Sequence, residues 1–397
     1  MSLLIFILIN AFFACGGNKN ENGGENLEPI ITTRKTYRQL ADEKLIKMHG
    51  RHYESGSGSA VWFNQTASGF EINFRGISLS AEFTADWKTT ELSIQPQLQI
   101  FVDDENDAPS ATRLELAVKG KRTYTIVDGL TYGDHNIKIF KKSESVLYGT
   151  AYSRIALHAI SCKGEIVSSS NRKPLKIEVF GDSVTCGYGM SARPFETEFS
   201  TRTEEGLQTY AYLTARALDA DLQIMAASGW GINVGLGPNT SVPTWFNYAD
   251  INCTALWDHT KFRPDIIIIN LGANDAAYIR GDAAGPVSKT ESDRRLNEYI
   301  MRYGVFLETL QDVYGEGLKI LCCYGVMSET EIYAPIDEMV ERLNTQGLIN
   351  IHSLKLSEGV GNGKALHGHP TYQTNIESVE ILVNYIRTFR CRYNVCV

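Results

Sequence analysis

The stretch Lys176-Ile177-Glu178-Val179-Phe180-Gly181-Asp182-Ser183-Val184-Thr185-Cys186-Gly187-Tyr188-Gly189 decides how this chain is read. It has the form of a strand that ends on a glycine, presents a serine and then passes through two more glycines. A serine just past the carboxyl end of a strand stands where open α/β sheets bind their ligands. The glycines permit a sharp turn and close approach of a substrate to the backbone. The spacing is not that of the G-x-S-x-G elbow, because Asp182 precedes Ser183. Taken alone, the stretch could equally be an ordinary strand-to-helix turn.

Downstream, largely apolar runs recur at Leu222 to Ala226, Ile266 to Leu271, Leu318 to Val326 and Leu348 to Ile351. Helical periodicity fills the gaps at Gln208 to Leu218, Asp293 to Tyr314, Ile336 to Thr345 and Ile376 to Phe389. Apolar strands alternating with helices predict a parallel sheet covered on both faces, a doubly wound, flavodoxin-like α/β domain over residues 166–397.

Upstream the pattern has period two. Phe70 to Phe74, Ile77 to Phe83, Leu98 to Val102, Thr123 to Val127 and His135 to Phe140 alternate apolar and polar residues. Turn residues separate several of them: Asp103-Asp104, Lys119-Gly120 and Tyr132-Gly133-Asp134. Short alternating strands at this spacing, with no long helical period, predict an antiparallel β-sandwich over residues 30–165, read as a jelly roll. Ser168-Ser169-Ser170-Asn171-Arg172-Lys173-Pro174 suits a junction between the two.

The chain has 397 residues, 43% of them hydrophobic, which is enough for two cores. A net charge of −8 and the lack of a long Lys/Arg run argue against a nucleic-acid partner. Leu3 to Phe13 is apolar but too short to span a bilayer, and fits the core of a signal peptide within residues 1–15. Ala14-Cys15 at its end resembles a bacterial lipobox, which implies a lipid anchor on Cys15 and an extracytoplasmic location in periplasm or on the outer-membrane surface. A cleaved secretory signal is the alternative, since no Lys or Arg precedes the apolar run. Residues 16–29 are rich in Gly, Asn and Glu, with Gly16 to Asn26 drawn entirely from Gly, Asn, Lys and Glu, and read as a tether. No cysteine or histidine grouping has zinc-ligand spacing, so no metal or other cofactor is expected. Cys322-Cys323 reads as buried, and Cys391 with Cys396 is a candidate disulfide.

Three further strand-end loops carry chemistry-bearing residues: Ala227-Ser228-Gly229-Trp230-Gly231, Gly272-Ala273-Asn274-Asp275 and Gly368-His369-Pro370-Thr371. A parallel sheet gathers such loops on one edge. Acyl transfer requires a nucleophile, a base and an oxyanion cradle. Ser183 is the candidate nucleophile and His369 the candidate base. The N–H groups of Ser183 and Gly229 with the Asn274 amide are candidate oxyanion donors. Each has a plainer alternative: Gly229 as a turn residue, Asn274-Asp275 as a helix cap, His369 as a surface histidine before a helix-starting proline.

The order of these blocks resembles that of the SGNH (GDSL-type) hydrolases. With a β-sandwich in front, the chain resembles carbohydrate esterase family 2, the acetyl-xylan-esterase-like enzymes. Gly129-Leu130-Thr131-Tyr132-Gly133-Asp134-His135 with Lys138 and Lys141, and His49-Gly50-Arg51, carry the sandwich part of that likeness. The resemblance implies removal of O-acetyl groups from plant polysaccharide such as xylan or glucomannan, with an acetylated poly- or oligosaccharide as partner and no metal. One position departs from the SGNH pattern: Leu366 stands where many members carry the Asp that supports the catalytic His, and no acidic residue lies between Gly359 and Ile376. A backbone carbonyl is then left to orient the imidazole, giving a Ser-His dyad. His367 is a rival base, and Asp182 is read as holding the turn. Trp230, Trp245 and Tyr248, in or after the Gly229 loop, are candidate sugar contacts, against the alternative that they pack into the core. Other SGNH activities (lipase, peptidoglycan O-acetylesterase) and a non-catalytic polysaccharide-binding role are the competing functions.

Overall fold

In the computed structural model, which describes residues 31–391 apart from 89–92, 104–110, 146–151, 169–172, 236–240 and 283–284, two sheets account for all the strands. The signal and tether readings, the anchor at Cys15, most of the expected junction and the Cys391–Cys396 pair lie outside the described residues.

The first ten strands are β1 (Thr32–Thr36), β2 (Ile46–His49), β3 (His52–Glu54), β4 (Val61–Phe63), β5 (Gly69–Lys88), β6 (Gln97–Val102), β7 (Thr112–Glu115), β8 (Gly120–Val127), β9 (Gly133–Lys141) and β10 (Tyr152–Val167). All their pairings are antiparallel. The stretches 70–74 and 77–83, expected as separate strands, are one strand, β5, of 20 residues. It changes partner along its length, pairing with β9 at Gly69–Gly76 and with β8 from Leu79 to Ala85. One long bent strand can thereby serve two layers. Phe63, Phe70 and Phe83 meet inside at ring separations of 6.0–6.3 Å and are fully buried. The sequence reading missed a six-residue helix, α1 (Tyr37–Asp42), whose start is closed by a reciprocal Thr36–Gln39 capping box.

The second sheet contains β11 (Leu175–Gly181), β12 (Ala220–Ala226), β13 (Ile266–Asn270), β14 (Lys319–Tyr324) and β15 (Ile351–Lys355). All are parallel, in the order β12-β11-β13-β14-β15, which is the flavodoxin-like order. Its helices are α2 (Ser183–Cys186), α3 (Tyr210–Ala217), α4 (Val242–Trp245), α5 (Ala273–Arg280), α6 (Lys289–Tyr314), α7 (Tyr333–Thr345) and α8 (Tyr372–Cys391). Along β13, Ile267 and Ile269 join the core on one face while Ile266 and Ile268 join the core on the other, so the strand reads as an unbroken apolar run. The last strand begins at Ile351, where the expected run ended. It is an edge strand with half-buried His352, Ser353 and Leu354, so its sequence lacks the apolar signal that marked the inner strands.

Candidate active site

Register places the site. Gly181, the last residue of β11, pairs with Ala226 on one side and Asn270 on the other. The loops beginning at Asp182, Ala227 and Leu271 therefore leave the sheet side by side. Asp182 caps α2, its carboxylate accepting the Val184 N–H at 2.9 Å, which is the turn-holding role expected of it. Burial, with Glu329 and Asp275 nearby, pushes its carboxyl up to about 8. Ser183 opens α2, so its amide N–H has no acceptor upstream in the helix.

The fourth loop arrives from the end of the chain, and Gly189 lets it come close. Gly187 and Gly189 adopt positive φ (74° and 58°). A Cβ on Gly189 would sit 2.3 Å from the Leu366 Cβ, and one on Gly187 would sit 2.6 Å from the Glu205 backbone. Between them Tyr188 lays its ring on His369, centroids 4.4 Å apart and planes 25° apart, with Phe199 stacked on Tyr188 at 4.6 Å. At the start of α8, the Asn375 side chain accepts the Tyr210 N–H at 2.8 Å and ties the helix to α3.

His369 Nε2 lies 2.8 Å from Ser183 Oγ, and its Nδ1 lies 2.9 Å from the Leu366 carbonyl. A carbonyl only accepts, so Nδ1 carries the proton and Nε2 is left as the acceptor facing the serine. Burial drives the imidazole down to about 4, against the opposing Leu366 hydrogen bond, so it is neutral near pH 7. His367, the rival, has φ +52° and spends both ring nitrogens elsewhere, Nδ1 at 3.1 Å from Tyr188 Oη and Nε2 at 2.9 Å from the Thr197 carbonyl.

Asn274 does not cap α5; that place is taken by Gly272. Its amide donates to the Trp230 carbonyl at 2.9 Å and lies 3.4 Å from Asp182 Oδ2. Next to it, Asp275 accepts the Ile232 and Asn233 N–H groups at 3.0 and 2.8 Å, and burial raises its carboxyl to about 6. The Gly229 loop is thus gripped by the Asn274 loop, and Gly229 itself has φ +79°.

Two of the three aromatic expectations need correction. Trp230 and Trp245 are 1% and 0% exposed, with ring centroids 5.2 Å apart, and belong to the core beneath the sheet. Burying two indoles there outweighs presenting them to solvent, at about 1.5–3 kcal/mol for each large apolar side chain. Tyr248 is half-buried against the same core, and its carbonyl accepts the Arg51 guanidinium at 2.8 Å. An exposed ring on the loop that supports His367 is Phe195, 73% exposed, with the Arg193 guanidinium 5.8 Å from its ring centre. Tyr188 and the Leu366 carbonyl were not singled out by residue type. The missing acid before His369 was the one signal that pointed to a carbonyl.

Residues 179–346 match the GDSL-like lipase/acylhydrolase family, and residues 48–159 match the carbohydrate esterase 2 N-terminal family. The chain is 25% identical over 329 residues to cellulase/esterase CelE of Acetivibrio thermocellus, covering 81% of this chain and 37% of that protein. It is 26% identical over 324 residues to an acetylxylan esterase / glucomannan deacetylase of Cellvibrio japonicus, covering 80% of this chain and 83% of that protein. Among solved structures, a family two carbohydrate esterase from Clostridium thermocellum in complex with cellohexaose superposes with a TM-score of 0.73 at 23% identity, over 87% of this chain and 99% of that one. An acetyl xylan esterase from the rumen bacterium Butyrivibrio proteoclasticus gives 0.76 at 16% identity, over 92% and 100%. The chain therefore joins a carbohydrate esterase 2 N-terminal domain to a GDSL-like lipase/acylhydrolase domain.

Proposed function

We propose that the protein is a carbohydrate O-acetyl esterase acting on acetylated plant polysaccharide of the xylan or glucomannan type. The observation that carries this reading is the 2.8 Å contact between His369 Nε2 and Ser183 Oγ, with the far side of the imidazole held by a carbonyl. The printed activities of the matched relatives supply the substrate class.

In this reading the neutral imidazole takes the Ser183 proton as Oγ attacks the acetyl carbon. The oxyanion is received by the Ser183 and Gly229 N–H groups and by the Asn274 amide proton that now faces Asp182 at 3.4 Å. His369 returns the proton to the departing sugar oxygen, leaving an acetyl-serine. Water, activated by the same imidazole, releases acetate. Among the described residues no carboxylate bonds to this imidazole, so Leu366 fixes its tautomer without compensating its charge. The stacked Tyr188 ring fixes its plane. Exposed Phe195 is the surface on which a sugar ring would rest.

Acetate release from acetylated xylan and glucomannan, and hydrolysis of p-nitrophenyl acetate, test the proposal. Ser183→Ala and His369→Ala are expected to abolish both; hydrolysis that survives Ser183→Ala would remove the nucleophile. We also propose lipidation at Cys15, supported by Ala14-Cys15 following the apolar run. A Cys15→Ser variant that stays with the membrane fraction would refute it.

A further inference from the structure

The segment leaving β9, Lys141-Lys142-Ser143-Glu144-Ser145, is polar throughout, yet each of its residues is at most 1% exposed. Burial of this kind is costly unless every group finds a partner. Lys141 Nζ donates to the Ser143 carbonyl at 2.9 Å and to that of Glu144, curling the segment around its own ammonium. Lys142 Nζ donates to the carbonyls of Arg202 and Glu204 and to Glu205 Oε1, at 2.9, 2.5 and 3.0 Å. Ser145 Oγ donates to the Asn64 carbonyl at 2.7 Å. These contacts explain how the segment is held. They do not explain why a carboxylate lies among them.

Glu144 points across the seam into the parallel sheet. Its Oε2 accepts the Ser228 N–H at 2.7 Å and its Oε1 accepts the Ser228 Oγ–H at 2.5 Å. Cys186 Sγ, at the end of the helix that Ser183 begins, lies 3.8 Å from Oε2. Ser228 directly precedes Gly229, and the Gly229 N–H belongs to the peptide that Ser228 carries. With both its amide and its hydroxyl bound to one carboxylate, Ser228 has little freedom to turn that peptide. Asp275 holds the far end of the same loop at Ile232 and Asn233. Gly229 has no side chain of its own to brace it. Charge-assisted bonds are about twice as strong as neutral ones, which suits a brace that must hold a donor still.

We propose that Glu144 is a positioning residue for the oxyanion donor at Gly229, so that the antiparallel domain supplies part of the active-site framework. It touches no reacting atom and acts through Ser228. The inference rests on the esterase reading above.

The test compares the full-length protein with Glu144→Ala, Glu144→Gln and Ser228→Ala, and uses Asp134→Asn in an exposed ion pair as control. Four quantities are read: kcat and KM for p-nitrophenyl acetate, Ki for a boronic acid that forms a tetrahedral adduct, thermal melting, and hydrogen exchange of the peptide spanning residues 227–231. In Glu144→Ala, kcat is expected to fall about tenfold or more, with KM changed by no more than about twofold. The boronate Ki should weaken in proportion, and amides 227–231 should exchange faster. Glu144→Gln, which keeps the shape and one acceptor, should recover part of the loss, and Ser228→Ala should lose only about threefold because the amide contact survives. Asp134→Asn should match the wild type. Wild-type kcat and Ki in folded Glu144→Gln and Ser228→Ala would overturn the inference even if Glu144→Ala fails to fold. So would a loss of rate that only tracks the fraction unfolded. An inactive wild type would strike the esterase reading itself, whereas an active wild type with these variants unchanged would strike only the role of Glu144.

Discussion

Two of the buried polar seams between the sandwich and the parallel sheet meet it at different heights. At the lower seam Arg51, fully buried, donates to Glu178 at 2.9 Å and to the carbonyls of Phe246 and Tyr248. Gln223 and Tyr314 also donate to Glu178, at 2.5 and 2.9 Å. Glu178 lies within β11, three residues before Gly181. At the upper seam Glu144 meets Ser228, just past the end of β12. Both seams bury charge between the same two sheets. The lower one centres on a mid-strand carboxylate and on carbonyls that follow α4, so its work is to hold. The upper one ends on a loop that leads into the site, so it can also aim. Height along the strand, not the chemistry of the pair, separates the two roles.

Variants should divide along that line. The largest effect belongs to the strand ends: Ser183→Ala should lower kcat by about 10⁴-fold or more with an unchanged melting temperature. His369→Ala should behave alike, and a kcat within tenfold of wild type would place the base elsewhere. Arg51→Ala tests the lower seam. It strands the buried Glu178 carboxylate, so about 3–5 kcal/mol of stability should be lost in denaturant titration, while kcat of the folded fraction stays near wild type. A marked fall in that kcat would erase the distinction between the seams. Asn274→Ala should cost about 10²–10³ in kcat, with little change in KM for a small ester. If instead KM rises alone, the amide binds substrate rather than the oxyanion.

The smallest effect is read from pH. Burial holds His369 near 4 at the site, and burial with the nearby Arg51 charge holds His259 near 4 at the lower seam. With the free imidazole of His369 as the proposed base, kcat/KM should fall as pH drops through about 4 rather than through the ordinary value near 6.5. Stability should follow both histidines. Their folded pKa values lie below the unfolded one, so the unfolded chain takes up protons that the native state refuses. Their contribution is complete above about 6.5, declines as pH falls towards 4, and is flat below that. His259→Gln should remove part of this slope and leave the rate profile alone. A shift of the rate limb in that variant would show that the seams communicate.

Much of this was legible before any coordinates. The alternation of apolar runs and helices implied the parallel sheet, and period-two patterning implied the antiparallel one. The four strand-end loops stood out because each carries a residue suited to acyl transfer. Other features were hidden for reasons that residue type does not encode. Trp230 in the Gly229 loop reads as a candidate sugar contact, but its environment depends on what the turn faces, and it faces the core. Glu144 carries no local signal in the sequence, because its partner lies 84 residues away. Tyr188 is the unnamed position between two motif glycines, and only the approach of Leu366 puts its ring on the imidazole.

The chain's own order of residues determined the two sheet types, the candidate nucleophile and the absence of an acid before His369, because periodicity and local motif spacing are properties of neighbours along the backbone. Tertiary structure alone decided which carbonyl steadies the His369 imidazole, which ring stacks on it and which carboxylate holds Ser228 just before Gly229. Those choices depend on sheet register and on close packing at Gly187 and Gly189, which bring together segments that the sequence keeps far apart.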